Sequence, residues 1–129
     1  MRILIVDNYA PFARSLRLML SVDHDVSVAG GGAEGLAFLR AGPGFDAILC
    51  DLLMPDVTGM DVFRALRAER PGEEARILFM TGGAHTDEAR DFLAGVPNPC
   101  LEKPFAPERL DELLRERTEA LRAGAETRF

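Results

Sequence analysis

Short runs of Ile, Leu, Val and Met alternate with stretches of helical spacing from one end of the chain to the other. The first run is Ile3–Val6, and Phe12, Leu16, Met19 and Leu20 follow it on one face of a helix. Asp25–Ala29 predicts a second strand and Ala33–Arg40 a short helix, after which Gly42-Pro43-Gly44 breaks the chain. Ala47–Cys50 is the third run, Met60–Ala68 predicts the third helix, and Pro71-Gly72 closes it. Then come the run Ile77–Met80, a helix over Thr86–Leu93 and a brief run at Cys100-Leu101. A last helix opens with Pro107 in its first turn and carries Leu110, Leu113, Leu114 and Leu121. Five strand–helix units in this order predict a parallel sheet with helices on both faces. The runs are continuous rather than alternating, as strands buried on both faces require. Residues 1–121 are expected to form one domain and 122–129 a C-terminal tail, frayed from Ala123 onward.

Composition narrows the function classes. A chain of 129 residues, 47% apolar and 28% charged, can build one real core. A net charge of -6 and a pI near 4.9 argue against a surface that binds nucleic acid directly. No apolar run is long enough to span a bilayer, and Ile3–Val6 ends too soon at Asp7 for a secretory signal. A cytoplasmic protein is expected. Cys50 and Cys100 then read as reduced core thiols. Neither they nor His24 and His85 have the spacing of a zinc site.

Candidate chemistry lies where the strands end. Ligands of such sheets bind at the carboxyl edge, which the strands share. The first strand runs into Asp7-Asn8, the third into Asp51, the fourth into Thr81 and the fifth into Glu102-Lys103. In the order 2-1-3-4-5 these ends are neighbours, with strands about 4.8 Å apart, so one pocket can hold Asp7, Asp51, Thr81 and Lys103. Singly, Asp7, Asn8, Asp51 and Thr81 also suit turns or helix caps, and Lys103 suits a solvated surface. Together they offer oxygens to a hard cation, and a hydroxyl and an ammonium to phosphoryl oxygens.

Four segments carry a resemblance: Ile3-Leu-Ile-Val-Asp-Asn8, Ile48 through Asp51-Leu-Leu-Met-Pro-Asp-Val-Thr-Gly59, Phe79-Met-Thr-Gly82 and Leu101-Glu-Lys-Pro-Phe105. They resemble the response-regulator receiver family of two-component signalling, over nearly the whole chain. The resemblance implies a single doubly wound (βα)5 α/β fold of flavodoxin-like order 2-1-3-4-5. It implies that Asp51 accepts a phosphoryl group from a histidine kinase or histidine phosphotransfer protein. Mg²⁺ would be bound by Asp7, Asn8, Asp51 and the Leu53 carbonyl, while Thr81 and Lys103 would bind the phosphoryl oxygens. A cis Lys103-Pro104 bond, and Gly59 in the turn after the acceptor strand, belong to the same pattern. The domain would be a phosphoacceptor rather than an enzyme in its own right. It would switch the region after the fourth strand and the face of the fourth helix, fifth strand and fifth helix, which the resemblance also allows as a homodimer face. Thr81-Gly-Gly-Ala-His-Thr and Val96-Pro-Asn-Pro further resemble receivers attached to hybrid sensor histidine kinases.

Two positions depart from the family. Asn8 stands where a second acidic residue is usual, which predicts weaker Mg²⁺ binding, and Asn8 also suits the cap of the first helix. Cys100 replaces an aromatic ring that turns with the threonine, so transmission would rest more on Thr81 and the segment from Gly82 to Thr86. Two rival readings are an unphosphorylated docking module of the same fold and an aspartate-nucleophile phosphohydrolase. The second lacks its acid/base, because Leu53 stands two residues after Asp51. Gly30-Gly31-Gly32 matches neither of the common nucleotide-binding loops.

Overall fold

The computed structural model describes residues 1–83 and 86–126, except the side chains of residues 118 and 121–126. Five strands, β1 (Arg2–Val6), β2 (Asp25–Ala29), β3 (Ala47–Asp51), β4 (Ile77–Thr81) and β5 (Cys100–Glu102), form one parallel sheet of order β2-β1-β3-β4-β5. Five α-helices connect and follow them: α1 (Ala10–Leu20), α2 (Gly32–Ala41), α3 (Gly59–Glu69), α4 (Asp87–Ala94) and α5 (Pro107–Glu126). The expected fold and strand order are those observed. A single 3₁₀ turn over Glu73–Arg76, which the pattern did not indicate, leads into β4.

The apolar runs supply two cores because successive strand residues face opposite sides. Leu4, Val6, Ile48, Cys50, Ile77 and Phe79 pack against α2, α3 and Ala89 of α4. Ile3, Ile5, Leu49, Leu78 and Met80 pack against Ala13, Leu16 and Leu20 of α1 and Leu110, Leu113 and Leu114 of α5. Both faces are dry, so polar side chains are driven to the strand ends. The buried polar residues, among those described, are Asp7, Asp51, Thr81 and Asn98. Three of the four lie at the carboxyl edge.

Helix α5 is longer than its core contacts require. It continues to Glu126, so the tail expected from Ala123 is helical that far, while residues 127–129 lie outside the described residues. The side chain of Leu121 and the residues Ala84 and His85 also lie outside them. Cys50 is buried, Cys100 is half-buried, and both are free thiols. No helix among the described residues is long and apolar enough to cross a membrane.

Candidate functional site

Each candidate side chain is placed by where its strand stops. Val6, Cys50, Phe79 and Cys100 stand level across the sheet, since Val6 pairs with Cys50, Cys50 with Phe79 and Phe79 with Cys100. Asp7 and Asp51 are thus the next residues of neighbouring strands. Thr81 ends β4, and Lys103 follows β5 with its backbone N–H donating to the Thr81 carbonyl at 2.7 Å.

Three of the four side chains converge, and Thr81 joins them through its backbone carbonyl. The Lys103 ammonium donates to Asp7 Oδ2 at 2.7 Å and to Asp51 Oδ2 at 3.4 Å, so one cation bridges two buried carboxylates. Asp7 also accepts the Tyr9 N–H on Oδ1 at 2.9 Å, which makes it a turn residue and a member of the site at once. The Thr81 hydroxyl accepts the Gly83 N–H at 3.3 Å. Gly83 adopts φ 97°, and a Cβ there would lie 2.8 Å from Glu102 Oε1, so glycine serves both needs.

Burial raises the Asp51 carboxyl above the ordinary aspartate value, with Asp7 adding to the effect. Lys103 and a backbone hydrogen bond from Leu53 oppose it. The Asp51 carboxylate is therefore more basic than a solvated one. Burial also raises both thiols, Cys50 strongly and Cys100 with help from Asp51 and Glu102, which keeps them protonated and unreactive. Phe92 of α4 meets Phe79 edge-on at 5.5 Å and Phe63 at 5.2 Å, and Cys100 packs against the same core.

The β3–α3 turn packs closely beneath Asp51. A Cβ on Gly59 would fall 2.4 Å from the Asp51 carbonyl oxygen and 2.9 Å from Leu52 Cα, so only glycine lets α3 start this close. Thr58 then caps α3 reciprocally with Asp61. Lys103-Pro104 is cis, as expected, and so is Gly42-Pro43.

Asn8 stands apart. Tyr9, not Asn8, is the N-cap residue of α1, and no side chain caps that helix. Asn8 is exposed and lines a cleft with Gly30–Gly32, Glu34, Pro55 and Asp56, beside the carboxylate pair rather than within its hydrogen bonds. Among the described residues no three His, Cys, Asp or Glu side chains gather as a metal cluster, and the two carboxylates that meet the Lys103 ammonium are Asp7 and Asp51. Phe12, read from the sequence as one more apolar position of α1, also belongs to the site: its ring lies under the Lys103 ammonium, 4.3 Å from nitrogen to centroid.

Known proteins resemble this chain in sequence and fold. The family described as response regulator receiver domain matches residues 3–115. The chain is 31% identical over 114 residues to the chemotaxis protein CheY of Pseudomonas aeruginosa, which covers 87% of this chain and 91% of that protein. It is 36% identical over 111 residues to the response regulator MprA of Mycobacterium avium, and 33% over 122 residues to the virulence sensor protein BvgS of Bordetella pertussis. Those matches cover 85% and 90% of this chain, yet this chain spans only 47% of MprA and 10% of BvgS. Among solved structures, the CheY-like receiver domain protein of Methanospirillum hungatei superposes with a TM-score of 0.82 at 26% identity, over 95% of this chain and 97% of that one. A sensor protein of Polaromonas does so with a TM-score of 0.77 at 26% identity, over 93% and 97%.

Proposed function

Because the chain belongs to the response regulator receiver domain family of two-component signalling, we propose that Asp51 accepts a phosphoryl group from a phosphohistidine of a histidine kinase or histidine phosphotransfer protein. The observation that carries this reading is the single ammonium of Lys103 shared by the Asp7 and Asp51 carboxylates. In the transfer an Asp51 oxygen attacks phosphorus in line, the new O–P bond forms as the donor's N–P bond breaks, and imidazole leaves. Burial makes the Asp51 oxygen a better nucleophile, and Lys103 favours its ionised form. The ammonium is already beside the acceptor to meet charge on the phosphoryl oxygens, with no reorganisation at the moment of reaction. The Thr81 hydroxyl is the second donor, and drawing it to the phosphoryl group breaks its bond to Gly83. That exchange pulls on the segment leading into α4, and it would alter the face of α4, β5 and α5.

The donor set suits Mg²⁺, a hard cation that takes one or two carboxylates and keeps several waters. Asp7 and Asp51 would hold it, with the Leu53 carbonyl and the Asn8 amide oxygen as neutral ligands. When bound, the cation neutralises charge on the phosphoryl oxygens. With one carboxylate fewer than its family uses, and Asn8 turned toward the neighbouring cleft, the site is expected to bind Mg²⁺ weakly. A Mg²⁺ titration giving the affinity usual for receivers would overturn that expectation.

The direct test is intact-mass spectrometry after incubation with acetyl phosphate and Mg²⁺. Wild type should gain one phosphoryl group, and Asp51→Ala should gain none. Absence of any adduct in wild type, with phosphorylated kinases as well, would leave the unphosphorylated docking module as the function.

A further inference from the structure

A lysine side chain ends in a point charge on a flexible stem, and fixing it in one place costs rotamer entropy. Lys103 is nonetheless held tightly, with its side chain only 16% exposed. Two of its three tethers are the Asp7 and Asp51 carboxylates, at 2.7 and 3.4 Å. Both are groups that phosphoryl transfer alters: Asp51 becomes an acyl phosphate, and Asp7 is a carboxylate of the expected cation site. The third tether is the face of Phe12, 4.3 Å from the nitrogen. An aromatic face carries negative charge density, and it attracts a largely desolvated ammonium placed over it more strongly than a solvated one.

The ring itself is well braced. Phe12 sits on α1, and Phe105 meets it edge-on with centroids 5.9 Å apart and planes at 85°. Phe105 lies two residues beyond Lys103, so the segment that delivers the ammonium also delivers the ring that fixes its platform. Both rings pack against the α1–α5 core, which the chemistry at the edge leaves unchanged.

Resting on the phosphoacceptor reading, we propose that Phe12 is a positioning residue: its face keeps the Lys103 ammonium at the acceptor in the free, cation-bound and phosphorylated forms alike. It acts on the reaction only through Lys103.

The test separates ring electronics from packing. Phe12 is replaced in turn by mono-, di- and trifluorophenylalanine, which keep the ring's shape while draining charge from its face. Phe12→Tyr and Phe12→Leu complete the series. The rate of Asp51 phosphorylation by acetyl phosphate should fall stepwise with each fluorine. It should stay near wild type in Phe12→Tyr and drop roughly tenfold in Phe12→Leu. Rates that do not follow the fluorine series would overturn the proposal, whatever the Leu variant does to folding. A second readout needs no turnover. In metal-free protein the ε-methylene NMR signal of Lys103 should lie upfield, under the ring current of Phe12, and should stay there after Mg²⁺ and beryllofluoride are added. An ordinary position in the metal-free protein, or a return to it on loading, would also overturn the proposal. If wild type accepts no phosphoryl group at all, the phosphoacceptor reading fails, and this NMR measurement still decides whether Phe12 holds Lys103.

Discussion

The two edges of the sheet are built from opposite materials. At the carboxyl edge, two carboxylates share one ammonium, and a hydroxyl ends the neighbouring strand. At the amino edge, cationic and amide side chains tie down backbone carbonyls. Arg2 donates to the carbonyls of Pro43 and Gly44 at 3.1 and 2.7 Å and covers the Phe45 ring. Arg76 donates to the Phe45 carbonyl, Arg70 to that of Arg40 and Arg117 to that of Ala75. Asn98, nearly fully buried, donates to the carbonyls of Glu74 and Ile77. A charge spread over carbonyls holds loops, whereas like charges pressed together store reactivity. Stability and chemistry are thus assigned to different ends of the same five strands.

Mutation should pull these assignments apart. The largest effect is expected from Lys103→Met, which removes the ammonium placed against developing charge. Phosphorylation by acetyl phosphate should slow roughly a hundredfold or more, and folding stability should also fall, because two buried carboxylates lose the cation they share. Equal rates in the two proteins would place the electrostatics elsewhere. Next, Asn98→Ala strips the buried Ile77 carbonyl and the half-buried Glu74 carbonyl of a donor and should cost about 2 kcal/mol in denaturant unfolding. Its phosphorylation rate should match wild type, and a slowed rate would mean that the edges are coupled.

The smallest effect is a gain. Burial and Asp7 hold the Asp51 carboxyl above its ordinary value of 3.8. The folded chain therefore keeps a proton that the unfolded chain releases, and stability falls as pH rises past 3.8 until the folded carboxyl has ionised. Asp51→Asn escapes that loss and should melt roughly a few degrees higher at pH 7, the gap closing as pH is lowered below 3.8. A variant that melts lower at pH 7 would show that the bond to Lys103 outweighs burial.

This division was legible in the sequence at one edge only. Continuous apolar runs required strands dry on both faces, and such strands leave polar residues no place but their ends. Asp7, Asp51, Thr81 and Lys103 were therefore visible. Phe12 was hidden because an apolar residue at helical spacing looks the same whether it packs in a core or carries an ammonium on its face. The setting of Asn8 follows from the course of a loop, which periodicity does not encode. Asn98 sits between two prolines and reads as a turn, and nothing local announces that its amide is swallowed by a strand start 21 positions away. The extra turns of α5 escaped notice for the opposite reason: helical propensity continues there after the core-facing leucines stop.

The Lys103–Asp7 contact joins positions 96 apart in the chain. A nascent polypeptide that has emerged as far as the fourth strand already carries both carboxylates but not the cation between them. Burying two uncompensated negative charges is costly, so the acidic end resists closing until the fifth strand brings its lysine. Closure of the acidic end therefore waits on the last strand of the sheet.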